Sequence, residues 1–270
     1  QSFWGCSRSF IDQYPGVTVG IIYNAYYGKG SSGDNIPSFT DVVYAEDNGN
    51  ADGDEELAGA ACPTRNYSCK QNDADATVGA IHYDGTLKYD VYYPIIPNIT
   101  TPLTLPAIFF FHPGGFSDCS YKALPGIVHM CNEFALRGFV AFNVEYRRGI
   151  IQDQSPPLTY ATVQQQMAIY RSCQDARGAI RSIFQRQDDG WENNLYRINK
   201  NQIFLAGMSA GGLIAMNLAY YTDDAHIAQI FPTTGTYTAA QILGPINADL
   251  YYGAPTIPCQ TRIKGVLDMC

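Results

Sequence analysis

Basic side chains are scarce in this 270-residue chain: 17 Lys+Arg stand against 25 Asp+Glu, for a net charge of −8. Phosphate recognition needs a cationic face, so the balance argues against a nucleic-acid binder. Long apolar runs are also missing. None reaches the roughly 18 residues of a membrane-crossing helix, and no such span is expected. Only four histidines are present, and no two cysteines are spaced Cys-x-x-Cys, which argues against a zinc site. Charged residues make up just 16% while apolar ones make up 46%, so global disorder is excluded and a sizeable core can form. An initiating Met and a leader are absent too. The chain opens Gln1-Ser2-Phe3, as a processed N-terminus would, although a trimmed chain would look the same.

Cysteine, by contrast, is plentiful. Cys6, Cys62, Cys69, Cys119, Cys131, Cys173, Cys259 and Cys270 are too many for idle thiols in a reducing compartment. Disulfides are therefore expected; eight cysteines allow four bridges in about 105 connectivities, among which spacing does not choose. Two sequons, Asn66-Tyr67-Ser68 and Asn98-Ile99-Thr100, make Asn66 and Asn98 candidate glycosylation sites. Together these features place the protein outside the cell.

The chain divides by texture. Residues 1–76 form a loop-rich, disulfide-containing N-terminal extension, with Gly-Ser-Ser-Gly at 30–33 and an acidic run from Glu46 to Glu56. That run is expected to be a solvated loop; Asp52, Asp54 and Glu56 alternate as calcium ligands can, but the full twelve-residue calcium pattern is missing. Residues 77–270 alternate between strand and helix patterns. Val78–Tyr83 and Leu87–Tyr93 read as a hairpin turning at Asp84-Gly85. Leu105–Phe111, Phe139–Val144, Ile203–Ala206 and Ile263–Met269 read as buried strands. Helices are expected over Pro125–Leu136, Thr162–Gln187 and Ala210–Tyr221, the second with Met167, Tyr170, Cys173, Ala176, Ile180 and Ile183 as its apolar stripe. Residues 222–261 are turn-rich and read as an irregular insertion or lid. The alternation implies an α/β fold whose mostly parallel sheet is flanked by helices.

Two motifs carry chemistry. Gly207-Met208-Ser209-Ala210-Gly211 follows a strand and opens a helix. Small neighbours permit a tight turn that presents Ser209 at the sheet's carboxyl edge, beside a helix N-terminus favouring negative charge. The bland alternative is a glycine-rich turn with an N-capping Ser. Earlier, His112-Pro113-Gly114-Gly115-Phe116 directly follows the Phe-rich strand. Its successive glycines let backbone N–H groups approach a ligand closely enough to hold an oxyanion, and the expected donors are Gly114, Gly115 and Ala210. His112 is read as holding this loop rather than as a base. Without other functions for it, the same loop is simply a sharp turn.

With Val144-Glu145-Tyr146-Arg147-Arg148-Gly149 after the intervening strand, these motifs resemble the α/β-hydrolase superfamily, and most closely its secreted carboxylesterase/lipase-like members. The resemblance covers about residues 78–221 and keeps the order and spacing of an HGGG-type oxyanion loop, a Tyr-Arg pair and a GxSAGG elbow. It implies an eight-stranded sheet, Ser209 as nucleophile, and ester hydrolysis through an acyl-enzyme, with no metal or organic cofactor. Pro113 stands where the family usually has Gly; proline lacks an N–H, but the expected donors come after it. The family's later acid and histidine are not found: only His226 follows Ser209, a surface residue on this reading, and Asp268 comes a strand or two early. The fold is thus C-terminally incomplete, and the acid and histidine are expected beyond residue 270, in sequence unseen, in a separate chain, or lost.

The expected partner is a small-molecule or polymer ester. A rival reading keeps the scaffold without catalysis, as an extracellular structural, assembly or binding protein. Its 20 tyrosines favour interfaces, and self-association or a second chain would complete the sheet.

Overall fold

The computed structural model describes residues 9–26, 88–101, 103–116, 122–146, 158–188, 196–221 and 262–269. These form one six-stranded sheet: β1 (Thr18–Tyr26), β2 (Lys88–Ile95), β3 (Thr104–Phe111), β4 (Val140–Val144), β5 (Arg197–Met208) and β6 (Ile263–Met269), in spatial order β1-β2-β4-β3-β5-β6. Strands β4, β3, β5 and β6 run parallel, while β1 and β2 are antiparallel to their neighbours. The helices are α1 (Phe10–Gln13), α2 (Pro125–Leu136), α3 (Leu158–Asp188) and α4 (Ala210–Tyr220). The mostly parallel α/β expectation holds, with six of the eight strands implied by the resemblance present among the described residues.

Strand β3 explains why both faces must be covered. Successive side chains point to opposite sides of a sheet, so an unbroken Ile-Phe-Phe-Phe run needs apolar partners on each. Ile108 and Phe110 join Ile127, Cys131 and Ala135 of α2 on one face. Phe109 and Phe111 join the opposite core with α3 (Tyr170, Cys173, Ala176, Ile180, Ile183) and α4 (Ile214, Ala215, Leu218). Phe109 stacks on Phe142 of β4 with centroids 4.8 Å apart. Fully burying each such side chain contributes about 1.5–3 kcal/mol.

The expected hairpin strand Val78–Tyr83 lies outside the described residues. Over Tyr89–Tyr92, β4 takes one edge of β2 and β1 the other, so no edge is left for a tight hairpin. Strand β1 comes from the stretch expected to be loop-rich; its Val-Gly-Ile-Ile segment has the β-branched character of a strand, hidden between glycine-rich flanks. The four-bridge expectation fails at two positions. Cys131 and Cys173 are free and buried, on α2 and α3, in the cores on opposite faces of the sheet. They behave as small apolar side chains rather than cross-links. The other six cysteines, the acidic run with Asp52, Asp54 and Glu56, Asn66, and residues 222–261 lie outside the described residues.

Candidate active site

Parallel pairing brings three strand ends to one edge. Phe111 of β3 pairs with Gly207 of β5, and Gly207 with Asp268 of β6. Neighbouring strands lie about 4.8 Å apart, so the glycine loop after β3 and the turn after β5 leave the sheet side by side.

The turn is held by contacts that only glycine allows. A Cβ on Gly207 would fall 2.0 Å from the carbonyl oxygen of Gly211, and one on Gly211 would fall 2.0 Å from that of Phe111. The first turn of α4 therefore rests directly on the end of β3. Between these glycines Ser209 has φ 53° and ψ −116°, outside even the small left-handed helical well. Such a conformation costs about 1–3 kcal/mol and persists only where its surroundings impose it. Ser209 stands at the N-cap position of α4, yet its hydroxyl makes no capping hydrogen bond. The N-capping alternative thus fails, and the exposed hydroxyl is left at the helix N-terminus, where partial positive charge favours an anion. The Ser209 N–H donates to the Met269 carbonyl at 3.4 Å, tying the turn to β6. Ala210, the first residue of α4, is buried beneath it.

Across from Ser209, Gly114, Gly115 and Phe116 have φ of 132°, 59° and 62°. Gly114 and Gly115 reach these angles without a Cβ penalty. His112 is buried, and its Nδ1 donates to the Pro113 carbonyl at 2.6 Å, which requires the proton on Nδ1. Its ring stacks on Tyr146 at 4.3 Å, and Tyr146 Oη donates to the His112 carbonyl at 2.7 Å. His112 thus holds the loop, as expected. Beyond the loop, Lys122 Nζ pairs with buried Asp90 at 2.9 Å, and Asn143 Nδ2 donates to the Lys122 carbonyl at 2.7 Å. Asp268 is exposed; its carboxylate lies against Gly212, where a Cβ would come within 2.2 Å. His226 lies outside the described residues. Among the described residues no three His, Cys, Asp or Glu side chains cluster to hold a metal ion.

A family model described as BD-FAE, of α/β-hydrolase type, matches residues 89–243, more than half of the chain. The chain belongs to the BD-FAE family. That match begins in β2 and runs through both the glycine loop and the Ser209 turn of this BD-FAE chain. No curated protein matches it. Among solved structures, esterase 2 of Thermogutta terrifontis, phosphorylated by paraoxon, is 24% identical over 51% of this chain and 44% of its own, with a TM-score of 0.37. Esterase B of Lactobacillus rhamnosis is 19% identical over 53% of this chain and 38% of its own, with a TM-score of 0.35. Brefeldin A esterase, a bacterial homologue of human hormone-sensitive lipase, is 18% identical over 49% and 31%, with a TM-score of 0.33. The BD-FAE chain spans less than half the length of each of these esterases.

The supports of the glycine loop were not legible as such. Tyr146 belongs to a motif recognisable in sequence, but its role depends on touching His112. Asp90 and Lys122 are separated by 32 residues, and no local pattern pairs them.

Proposed function

We propose that this protein is a secreted serine hydrolase that cleaves carboxylic esters through an acyl-enzyme on Ser209. Ser209 Oγ attacks the acyl carbon while the carbonyl electrons move to oxygen. The N–H groups of Gly114, Gly115 and Ala210 stabilise that oxyanion. Collapse of the intermediate expels the alcohol, which takes up the proton that the Ser209 hydroxyl gave to the base, and leaves the acyl group on Ser209. Water then repeats the attack, its proton returns to Ser209 through the same base, and the acid is released.

One observation carries the reading: Ser209 is held at a costly positive φ, with no capping bond, at the strand-to-helix junction beside a glycine loop. A turn serving only structure gains nothing from such strain. The proton acceptor is not one of the two described histidines. His112 is folded back on Pro113 and Tyr146, and His129 is an exposed residue of α2, across the sheet from α4. We place the acid and the histidine beyond residue 270, as the superfamily pattern implies. Secretion rests on the sequons and cysteine content, and the exposure of Asn98 in a turn after β2 agrees with its use as an acceptor.

The test is reaction of the full-length protein with a fluorophosphonate ester, followed by peptide mapping. A single adduct on Ser209, lost in Ser209→Ala together with ester turnover, is expected. Turnover that survives Ser209→Ala would sink the proposal.

A further inference from the structure

The glycine loop must keep three successive positive φ angles without a strand or helix to enforce them. Gly114 and Gly115 accept theirs at little cost; Phe116, at φ 62°, does not. Some neighbour has to over-determine this shape.

Tyr146 contacts both ends of the loop. At the start, its Oη donates to the His112 carbonyl at 2.7 Å and its ring stacks on the imidazole at 4.3 Å and 15°. At the far end, its ring lies 6.1 Å from that of buried Phe116. Tyr146 is itself buried, and it leaves β4 just after Val144, the partner of Phe111 across the β3–β4 pair. The carbonyl it holds also touches the catalytic turn: a Cβ on Gly211 would stand 2.9 Å from the His112 oxygen. One phenol therefore sets the loop's start, faces its end, and fixes a group packed on the helix that follows Ser209.

We propose that Tyr146 is a positioning residue for the oxyanion loop, holding the Gly114 and Gly115 N–H groups at the height of the acyl oxygen above Ser209. This rests on the ester-hydrolase reading. Donors to an oxyanion act through alignment with charge that develops only in the transition state. Loosening the clamp should therefore lower kcat and leave substrate binding nearly untouched.

The experiment compares full-length wild type with Tyr146→Phe, which removes the hydrogen bond to the His112 carbonyl and keeps the ring against His112 and Phe116. The readouts are p-nitrophenyl butyrate kinetics, the rate of fluorophosphonate labelling, and hydrogen exchange of the peptide spanning residues 112–116. The expected result is a kcat lowered on the order of tenfold with KM within about twofold, since small misplacements of aligned groups are costly. Labelling should slow in parallel, and exchange should quicken in that peptide alone. Phe116→Leu, which loosens the clamp from its other end, should give the same pattern and serves if Tyr146→Phe does not fold. Wild-type kcat, a change confined to KM, or unaltered exchange in the folded variant would overturn the proposal. Wild type that neither turns over ester nor labels overturns the hydrolase reading and this proposal with it, an outcome visible before any variant is made.

Discussion

At the scale of the residue, Ser209 joins a costly backbone conformation to an uncapped, exposed hydroxyl. Its positive φ lifts the hydroxyl out of the capping position that a serine before a helix ordinarily takes. Glycine accepts that conformation more readily than alanine. Ser209→Gly should therefore exceed Ser209→Ala in stability by about 1 kcal/mol, read from urea midpoints, while both are inactive. Equal midpoints would mean that the turn is not strained. The flanking glycines obey a stricter limit, because a Cβ at Gly211 meets backbone at 2.0 Å and backbone cannot step aside as a flexible side chain can. Gly211→Ala should cost more than about 3 kcal/mol, or leave no soluble folded protein. A wild-type urea midpoint in that variant would show that α4 is not seated on β3. Residue-level reading of the pentapeptide went far, because small residues at fixed offsets around a serine already state the steric condition.

At the scale of the element, periodicity carried the reading of α2, β3, β4 and α4 to within a residue or so of their ends. Apolar spacing and a Pro-to-Gly span mark them without help from distant residues. Buried polar groups were out of its reach. Asp90 on β2 and Lys122 after the loop are both largely buried, and each supplies the charge that makes the other tolerable. Asp90→Ala should destabilise by about 3–5 kcal/mol by taking a buried carboxylate away from the buried Lys122 ammonium. A loss below about 1 kcal/mol in urea unfolding would show the pair to be solvated. Cys173 in α3 makes a second test. Burial pushes its thiol from 9.0 up to about 12, so the folded state holds a proton that the unfolded state releases first. The resulting stability is complete below about pH 9 and is lost as pH rises towards 12. Cys173→Ala should flatten that alkaline decline in unfolding midpoints. In the native protein at pH 8, iodoacetamide should spare both Cys131 and Cys173, and denaturation without reductant should expose both. A disulfide-linked peptide containing either would contradict their assignment as free thiols.

At the scale of the whole molecule, the sheet brings to one edge segments far apart in the chain, and it sets Asn98 in an exposed turn between β2 and β3. Digestion with a peptide N-glycosidase should lower the mass of the natively produced protein and convert Asn98 to Asp. An unmodified Asn98 peptide would remove the main structural support for secretion. Composition alone had settled a domain with an ample core, and local pattern had settled the α/β class, the serine turn and the glycine loop, since each depends on residue size and spacing along the chain. Neighbour choice lay outside that information. The sequence pointed β2 to a hairpin partner, whereas β1 and β4 occupy its edges; it counted eight cysteines as bridges, whereas two are separated by the sheet between them. It also marked Tyr146 as a motif residue without a task. Strand pairing, the side of the sheet on which a thiol lies, and the contact of a phenol with a loop 34 residues earlier are relations between distant segments. Their free energies arise only when burial brings those segments together, so the tertiary structure decided them.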